Sequence, residues 1–128
     1  HELPAGAFIL GNGADSLISL ISMTFLNPGD EVIFCEPTFP IYKSATLISM
    51  GTPRVLPLDK TYRFDLEAII RAITPRTKLI YLCNPNNPTG TIHSPDEIEA
   101  FLKKIPDGVL VIFDEAYVDF MGAESLPP

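Results

Sequence analysis

Four short polar segments contain residues that could bind a ligand, and each of them follows an apolar run. They are Gly11-Asn12-Gly13-Ala14-Asp15, Glu36-Pro37-Thr38-Phe39, residues 84–90 and Asp114-Glu115-Ala116-Tyr117. If the apolar runs are parallel strands, their carboxyl ends share one edge of a sheet. Ligands of open α/β folds bind at that edge. The sequence therefore predicts one site, built from four loops that lie far apart along the chain.

The glycine-containing segment could bind a phosphate group, because the first turn of a helix offers free N–H groups. The carboxylate of Asp15 would repel a phosphate, so contacts should come from backbone N–H groups or from the Ser16 hydroxyl. Ser16 also stands where the dinucleotide-binding pattern needs a third glycine, which weakens the alternative of a nucleotide-binding Rossmann-like module. A tight strand-to-helix turn capped by Asp15 would explain the same residues.

Phe39 and residues 84–90 could orient a flat ring. An aromatic side chain just after a strand can stack on a heteroaromatic ring, although a core phenylalanine would give the same pattern. Two Asn-Pro steps and a Thr-Gly predict a stiff, non-helical loop at residues 84–90. An asparagine amide held there could donate a hydrogen bond to a phenolic oxygen. A plain proline-rich turn is the alternative.

Asp114 follows five apolar residues, so its carboxylate is expected at the end of a buried strand. Burying a carboxylate is costly unless it meets a cation or a strong hydrogen-bond donor. A protonated pyridine nitrogen would be such a partner, and Tyr117 could place its hydroxyl near the same ring. The alternative is that Asp114 caps the N-terminus of a helix.

Apolar periodicity and turn residues predict strands that alternate with helices. Strands are predicted at residues 8–10, 31–35, 54–58, 78–83 and 109–113, and helices at 14–26, 39–50, 65–73 and 94–105. Ser94, Pro95 and Glu97 are typical of a capped helix N-terminus. Strands that are apolar on both faces indicate a parallel sheet covered on both sides. We therefore expect an α/β fold, a three-layer α/β/α sandwich with a mainly parallel sheet.

The composition is that of a globular domain: 46% of the 128 residues are hydrophobic, 20% are charged, and the net charge is -7. The acidic balance argues against a nucleic-acid partner. No apolar run is long enough to cross a bilayer, so no membrane partner and a cytoplasmic location are expected. Cys35 and Cys83 lack the paired spacing of metal sites and are expected to be buried, reduced thiols.

Taken together, the four segments resemble those of fold-type-I pyridoxal-phosphate (PLP) aminotransferases, over residues 8–120 or so. Within that superfamily the chain is most similar to the histidinol-phosphate aminotransferases. The resemblance implies PLP as cofactor, L-histidinol phosphate or a related aromatic amino acid as amino donor, 2-oxoglutarate as acceptor, and a homodimer. A related enzyme of the same fold, such as a threonine-phosphate decarboxylase, or a non-catalytic fragment remains an alternative.

The resemblance also implies roles for individual residues. Backbone groups of Ala14 and Asp15 would hold the cofactor phosphate, and Phe39 would stack on the pyridine ring. Asn87 would hydrogen-bond the phenolic oxygen of the ring, as would Tyr117.

Asp114 would pair with the pyridine nitrogen. The Schiff-base lysine of the family lies in a Ser-Lys motif beyond the Asp-x-x-Tyr segment, and no such motif occurs here. Residues 1–128 are therefore expected to be a partial PLP-binding large domain, without the N-terminal segment, the catalytic-lysine region or the small domain. His1 and the final prolines are interpreted as cuts through a longer chain. Such a fragment should be inactive, because none of its lysines lies at the position of the family's Schiff-base lysine. These lysines are Lys43, Lys60, Lys78, Lys103 and Lys104.

Overall fold

The computed structural model describes residues 4–121, in which four strands alternate with four helices. Both chain ends, on which the prediction of a truncated domain partly rested, lie outside the described residues. The strands are β1 Glu31–Glu36, β2 Thr52–Pro57, β3 Thr77–Cys83 and β4 Leu110–Asp114. The helices are α1 Gly13–Phe25, α2 Ile41–Ile48, α3 Leu66–Ala72 and α4 Pro95–Leu102. Short 3₁₀ turns lie at Ala5–Ala7 and Val118–Phe120.

All four described strands form one parallel sheet in the order β2-β1-β3-β4. The central strands β1 and β3 are buried almost throughout, as expected for a sheet covered on both faces. Registered pairs such as Ile33 with Ile80 and Cys83 with Asp114 align the carboxyl ends of neighbouring strands. The predicted α/β class and the parallel sheet are confirmed.

The helices cover opposite faces of the sheet. On one face, the Ser22 hydroxyl of α1 lies 2.9 Å from the Tyr81 hydroxyl of β3, and the Tyr42 ring of α2 stacks on the Tyr81 ring. On the other face, Ile69 of α3 and Phe101 of α4 are buried in the same core. The predicted three-layer arrangement is therefore present.

The start of α4 follows the local sequence signals. The Ser94 side chain accepts a hydrogen bond from the Glu97 backbone N–H, and the Glu97 carboxylate accepts one from the Ser94 N–H. Pro95 occupies the first helical turn, where its missing N–H costs nothing. The predicted capping box is confirmed.

The strand predicted at residues 8–10 is wrong. Phe8, Ile9 and Leu10 are 56%, 68% and 97% exposed and belong to no helix or strand. A strand needs a neighbour for its backbone N–H and C=O groups, and none of the described residues pairs with this run. Local apolar character alone therefore gave a false indication. Gly11 and Asn12 lead into α1, which begins at Gly13, without following a described strand, and this further weakens the Rossmann-like alternative.

Cys35 and Cys83 are buried free thiols, as predicted. Burial raises the pKa of Cys35 to about 12 and also raises the pKa of Cys83. The Cys83 thiol donates to the carbonyl oxygen of Pro85 at 3.2 Å. Among residues 4–121 no helix has the length and apolar character needed to cross a membrane.

Candidate functional site

The carboxyl ends of β1, β3 and β4 lie side by side, and hydrogen bonds join the loops that follow them. The backbone N–H of Asn84 donates to the carbonyl of Asp114 at 3.0 Å, which ties the end of β3 to the end of β4. The Thr38 hydroxyl donates to the Asn86 side-chain oxygen at 2.7 Å, which ties the loop after β1 to the loop after β3. Three of the four predicted segments therefore meet at one edge of the sheet.

Asn86 organises this edge from a buried position, with 3% of its surface exposed. Besides the bond from Thr38, its amide nitrogen donates to the Pro37 carbonyl at 3.2 Å and to the Thr89 hydroxyl at 2.8 Å. All three bonds involve the Asn86 side chain, which therefore holds the loop after β1 against the loop after β3. The stiffness predicted for residues 84–90 thus depends on Asn86 as well as on the prolines.

Asn84 fixes the other end of the same loop. Its side-chain oxygen accepts from the His93 backbone N–H at 2.8 Å, and its amide nitrogen donates to the His93 carbonyl at 3.2 Å.

The His93 ring is buried and lies 3.0 Å from the Arg63 guanidinium, which also donates to Glu97 at 2.6 Å. Burial and the Arg63 charge lower the pKa of His93, whereas the hydrogen bond from Arg63 lowers the pKa of Glu97 to about 2. Within residues 4–121, this loop includes two cis X-Pro peptide bonds, at Asn84-Pro85 and Asn87-Pro88.

Asn87 and Tyr117 line the same pocket, which has a volume of about 550 Å³. Asn87 is half-buried, and within residues 4–121 its side-chain amide makes no hydrogen bond. Tyr117 is 43% exposed and packs beside Phe120, with ring centroids 6.3 Å apart. Both polar groups are therefore available to a ligand in this pocket, between the loop after β3 and the segment after β4.

Asp114 ends β4 and is only 8% exposed. Its Oδ2 accepts a hydrogen bond from the Tyr42 hydroxyl at 2.7 Å, and its Oδ1 accepts one from the Ala116 N–H at 3.1 Å. No Lys, Arg or His side chain among the described residues forms an ion pair with it. The residue does not cap an α-helix, because only a 3₁₀ turn follows, with Tyr117 at its N-cap position. A buried carboxylate with two hydrogen-bond donors and no cation suits a positively charged ligand atom.

The start of α1 lies near Asp114. Ala14 and Asp114 both line a second pocket of about 340 Å³ between α1 and β4. Asp15 is exposed and the N-cap residue is Asn12, so the alternative in which Asp15 caps this helix is wrong. The first-turn N–H groups, including those of Ala14 and Asp15, have no partner in the helix. A Cβ at Gly11 would lie 2.6 Å from the Leu17 side chain, so a larger residue there would have to displace that side chain.

Phe39 is half-buried and packs against the hydrophobic core, as the core alternative predicts. Its ring meets the Tyr42 ring edge to face, with centroids 6.0 Å apart and an angle of 86°. Because Tyr42 in turn contacts Asp114, Phe39 lies one side chain away from the buried carboxylate.

Sequence reasoning missed Tyr42, Asn84 and Asn86. Tyr42 is fully buried in α2, and a buried tyrosine usually needs a partner for its hydroxyl. That requirement was the available signal, but the partner lies 72 residues away in the sequence. The two asparagines lie in the predicted loop, where the resemblance implies a ligand-binding role only for their neighbour Asn87.

None of the five lysines lies in either site pocket. Lys43 lies in the first turn of α2 and pairs with Glu36 at the carboxyl end of β1, at 3.4 Å. Lys103 and Lys104 pair with Glu99 and Glu67 on the helical surface.

The model of the family "Aminotransferase class I and II" matches residues 2–127. The chain is 45% identical over 119 residues to histidinol-phosphate aminotransferase of Moorella thermoacetica, covering 93% of this chain and 31% of that relative. It is 40% identical over 121 residues to histidinol-phosphate aminotransferase of Bacillus subtilis, covering 94% and 34%. The chain therefore spans about a third of the length of the curated relatives it matches.

Solved structures give a similar result. Histidinol-phosphate aminotransferase from Sinorhizobium meliloti, solved in complex with pyridoxal-5'-phosphate, superposes with a TM-score of 0.86 at 28% identity, covering 92% of this chain and 32% of that chain. An aspartate aminotransferase from Rhizobium meliloti superposes with a TM-score of 0.84 at 28% identity, covering 92% and 31%.

Proposed function

This chain belongs to the class I and II aminotransferase family, and we propose that it forms part of the PLP-binding large domain of an aminotransferase. The parent protein would transfer an amino group from L-histidinol phosphate, or a related aromatic amino acid, to 2-oxoglutarate. The names of the relatives at 40–46% identity support this amino donor. We also propose that the parent acts as a homodimer in the cytoplasm, in histidine biosynthesis.

The observation that carries this proposal is the buried carboxylate of Asp114, which has two neutral donors and no cationic partner among the described residues. When bound, PLP supplies an electron sink that stabilises a carbanion at the α-carbon of the amino acid. A carboxylate beside its pyridine nitrogen would raise the pKa of that nitrogen and keep it protonated. Asp114 has the charge and the burial for this role.

The neighbouring groups suit the rest of such a cofactor. Asn87 and Tyr117 present an amide and a hydroxyl to one pocket, and both would hydrogen-bond the phenolic oxygen of the ring. The free N–H groups of Ala14 and Asp15, at the start of α1, would hold the phosphate. Phe39 would stack on the ring from its half-buried position beside Tyr42.

We infer that these 128 residues contribute cofactor-binding groups but not the lysine that bonds covalently to the cofactor. The positions of the described lysines support this inference, since three of them pair with surface glutamates. The lysine and the groups that bind the substrate carboxylate would come from the remaining two thirds of the parent protein.

The test uses the full-length protein with Asp114→Ala. We expect transamination, measured as glutamate formed from 2-oxoglutarate and L-histidinol phosphate, to be nearly abolished, because the pyridine nitrogen would lose its anionic partner. Asp119→Ala is the matched control, because it removes an exposed carboxylate five residues further along the chain. Near-normal turnover by the Asp114 variant would refute its role. Activity of the unaltered protein with other amino donors, but not with L-histidinol phosphate, would refute the assigned substrate.

A further inference from the structure

We propose that Tyr42 is a positioning residue, whose hydroxyl fixes the Asp114 carboxylate in the orientation that the pyridine nitrogen requires. This inference rests on the proposed function, because it requires that Asp114 pairs with the cofactor. Tyr42 would act through Asp114 and would not contact the cofactor itself. Tyr42 lies in α2 and Asp114 ends β4, so the contact joins a helix to a strand on the far side of β3.

The contact is short and shielded from water. Tyr42 has no exposed surface, and its Oη lies 2.7 Å from Oδ2 of Asp114. Hydrogen bonds from a hydroxyl to a carboxylate are among the stronger ones in proteins. The other oxygen, Oδ1, is held by the backbone N–H of Ala116 at 3.1 Å. With one donor on each oxygen, the plane of the carboxylate is set by the protein.

Tyr42 is itself held firmly, so it can act as a fixed donor. Its ring stacks on the Tyr81 ring with centroids 4.7 Å apart and an angle of 6°. The Tyr81 hydroxyl lies 2.9 Å from the Ser22 hydroxyl and donates to the Ile18 carbonyl at 3.3 Å, both in α1. The Phe34 ring also packs beside the Tyr42 ring, with centroids 6.2 Å apart and an angle of 57°. Rotation of the Tyr42 ring would have to displace these neighbours.

The Tyr42 hydroxyl is also a donor at every working pH. Burial, together with the nearby Cys83 and the hydrogen bond to Asp114, raises the pKa of Tyr42 far above its ordinary value. It therefore keeps its proton and cannot repel the carboxylate. Without this donor, Oδ2 would be a buried acceptor with no partner, and the carboxylate would be free to turn. That change would weaken its interaction with a protonated ring nitrogen.

The experiment compares Tyr42→Phe with Tyr81→Phe in the full-length protein. Each variant removes one buried hydroxyl from the same stacked pair, but only Tyr42 touches Asp114. The affinity of the cofactor-free protein for PLP is measured by titration, and urea unfolding shows how much fold stability each variant loses. We expect Tyr42→Phe to weaken PLP binding about tenfold, the effect of losing a hydrogen bond to a charged group. We expect Tyr81→Phe to change it less than about twofold. The turnover number should fall with Tyr42→Phe, while KM for 2-oxoglutarate stays nearly constant.

A double-mutant cycle shows whether Tyr42 acts through Asp114. In an Asp114→Ala background, the further change Tyr42→Phe should alter PLP affinity by less than about twofold, because coupled residues are not additive. Equal PLP affinities for the two tyrosine variants, or a full effect of Tyr42→Phe in the Asp114→Ala background, would overturn the inference. If Asp114→Ala alone binds PLP normally, the proposed function fails and this inference with it. If Asp114→Ala binds weakly but Tyr42→Phe binds normally, only the role of Tyr42 is lost.

Discussion

Replacing Asn86 with alanine should destabilise the fold much more than the same change at Asn87, although the two asparagines are adjacent in the sequence. The Asn86 side chain is buried and makes three hydrogen bonds, to Thr38, Pro37 and Thr89. The Asn87 side chain is half-buried, faces the 550 Å³ pocket and makes no hydrogen bond within residues 4–121. Comparing Asn86→Ala with Asn87→Ala therefore distinguishes effects on fold stability from effects on ligand binding.

The expected magnitudes follow from these contacts. A typical hydrogen bond contributes about 1 kcal/mol net, so loss of the Asn86 side chain should cost about 2–3 kcal/mol. The cost should be near the lower value if water molecules replace Asn86 as hydrogen-bond partners of the two threonine hydroxyls. Asn87→Ala removes no such bond and should cost less than about 0.5 kcal/mol. Under the proposed function, however, Asn87→Ala removes a donor to the phenolic oxygen and should weaken PLP binding by about tenfold.

The measurement is urea unfolding of the full-length, cofactor-free protein for both variants, followed by PLP titration of the folded forms. Asn86→Ala should shift the unfolding midpoint strongly, whereas Asn87→Ala should leave the midpoint near that of the unaltered protein and reduce cofactor affinity. Equal unfolding midpoints for the two variants would show that the Asn86 bonds do not hold the loops together. Full PLP affinity in Asn87→Ala would remove Asn87 from the proposed site.

Two further predictions concern His93, which is hydrogen-bonded to Asn84, and the capping box at the start of α4. Burial and Arg63 lower the pKa of His93, so on acidification the unfolded chain takes up this proton first, and stability should fall as the pH drops below about 6.5. His93→Gln should flatten the dependence of the urea midpoint on pH in that range, and an unchanged slope would contradict the assignment. Ser94→Ala breaks the capping box of α4 and should cost about 1 kcal/mol in the same assay. Ser44→Ala is the control and should cost less than about 0.5 kcal/mol, because among the described residues the Ser44 hydroxyl bonds only carbonyls at the start of its own helix.

The order of strands and helices was readable from the sequence because the evidence for it is local. Four of the five predicted strands and all four predicted helices are present, with bounds shifted by a few residues. Ser94 and Glu97 fixed the start of α4 through neighbours only three residues apart. Residues 8–10 failed for the opposite reason, since a strand forms only if a distant segment pairs with it.

The candidate site was only partly readable for the same physical reason. Loops after parallel strands must share an edge, so the meeting of residues 84–90 with Asp114 followed from topology. Which side chain faces a ligand and which one supports the loop depends on contacts between residues far apart in sequence. Thr38 and Asn86 are 48 residues apart, and Tyr42 and Asp114 are 72 apart. Apolar periodicity and turn chemistry do not show that Asn86 supports the loop while Asn87 faces the pocket.

The strand order has a consequence for where a ligand can lie. The connection that follows β1 leads to β2 on one side, and the connection that follows β3 leads to β4 on the other, so these two connections diverge between β1 and β3. In many open sheets, a ligand occupies the gap created by such a divergence. In this molecule the gap is bridged by the Thr38–Asn86 hydrogen bond, and the Tyr42 ring packs against Phe34 of β1 and Tyr81 of β3. The two site pockets lie one strand along from this gap: one between the loop after β3 and the segment after β4, and the other between α1 and the end of β4, where Asp114 lies.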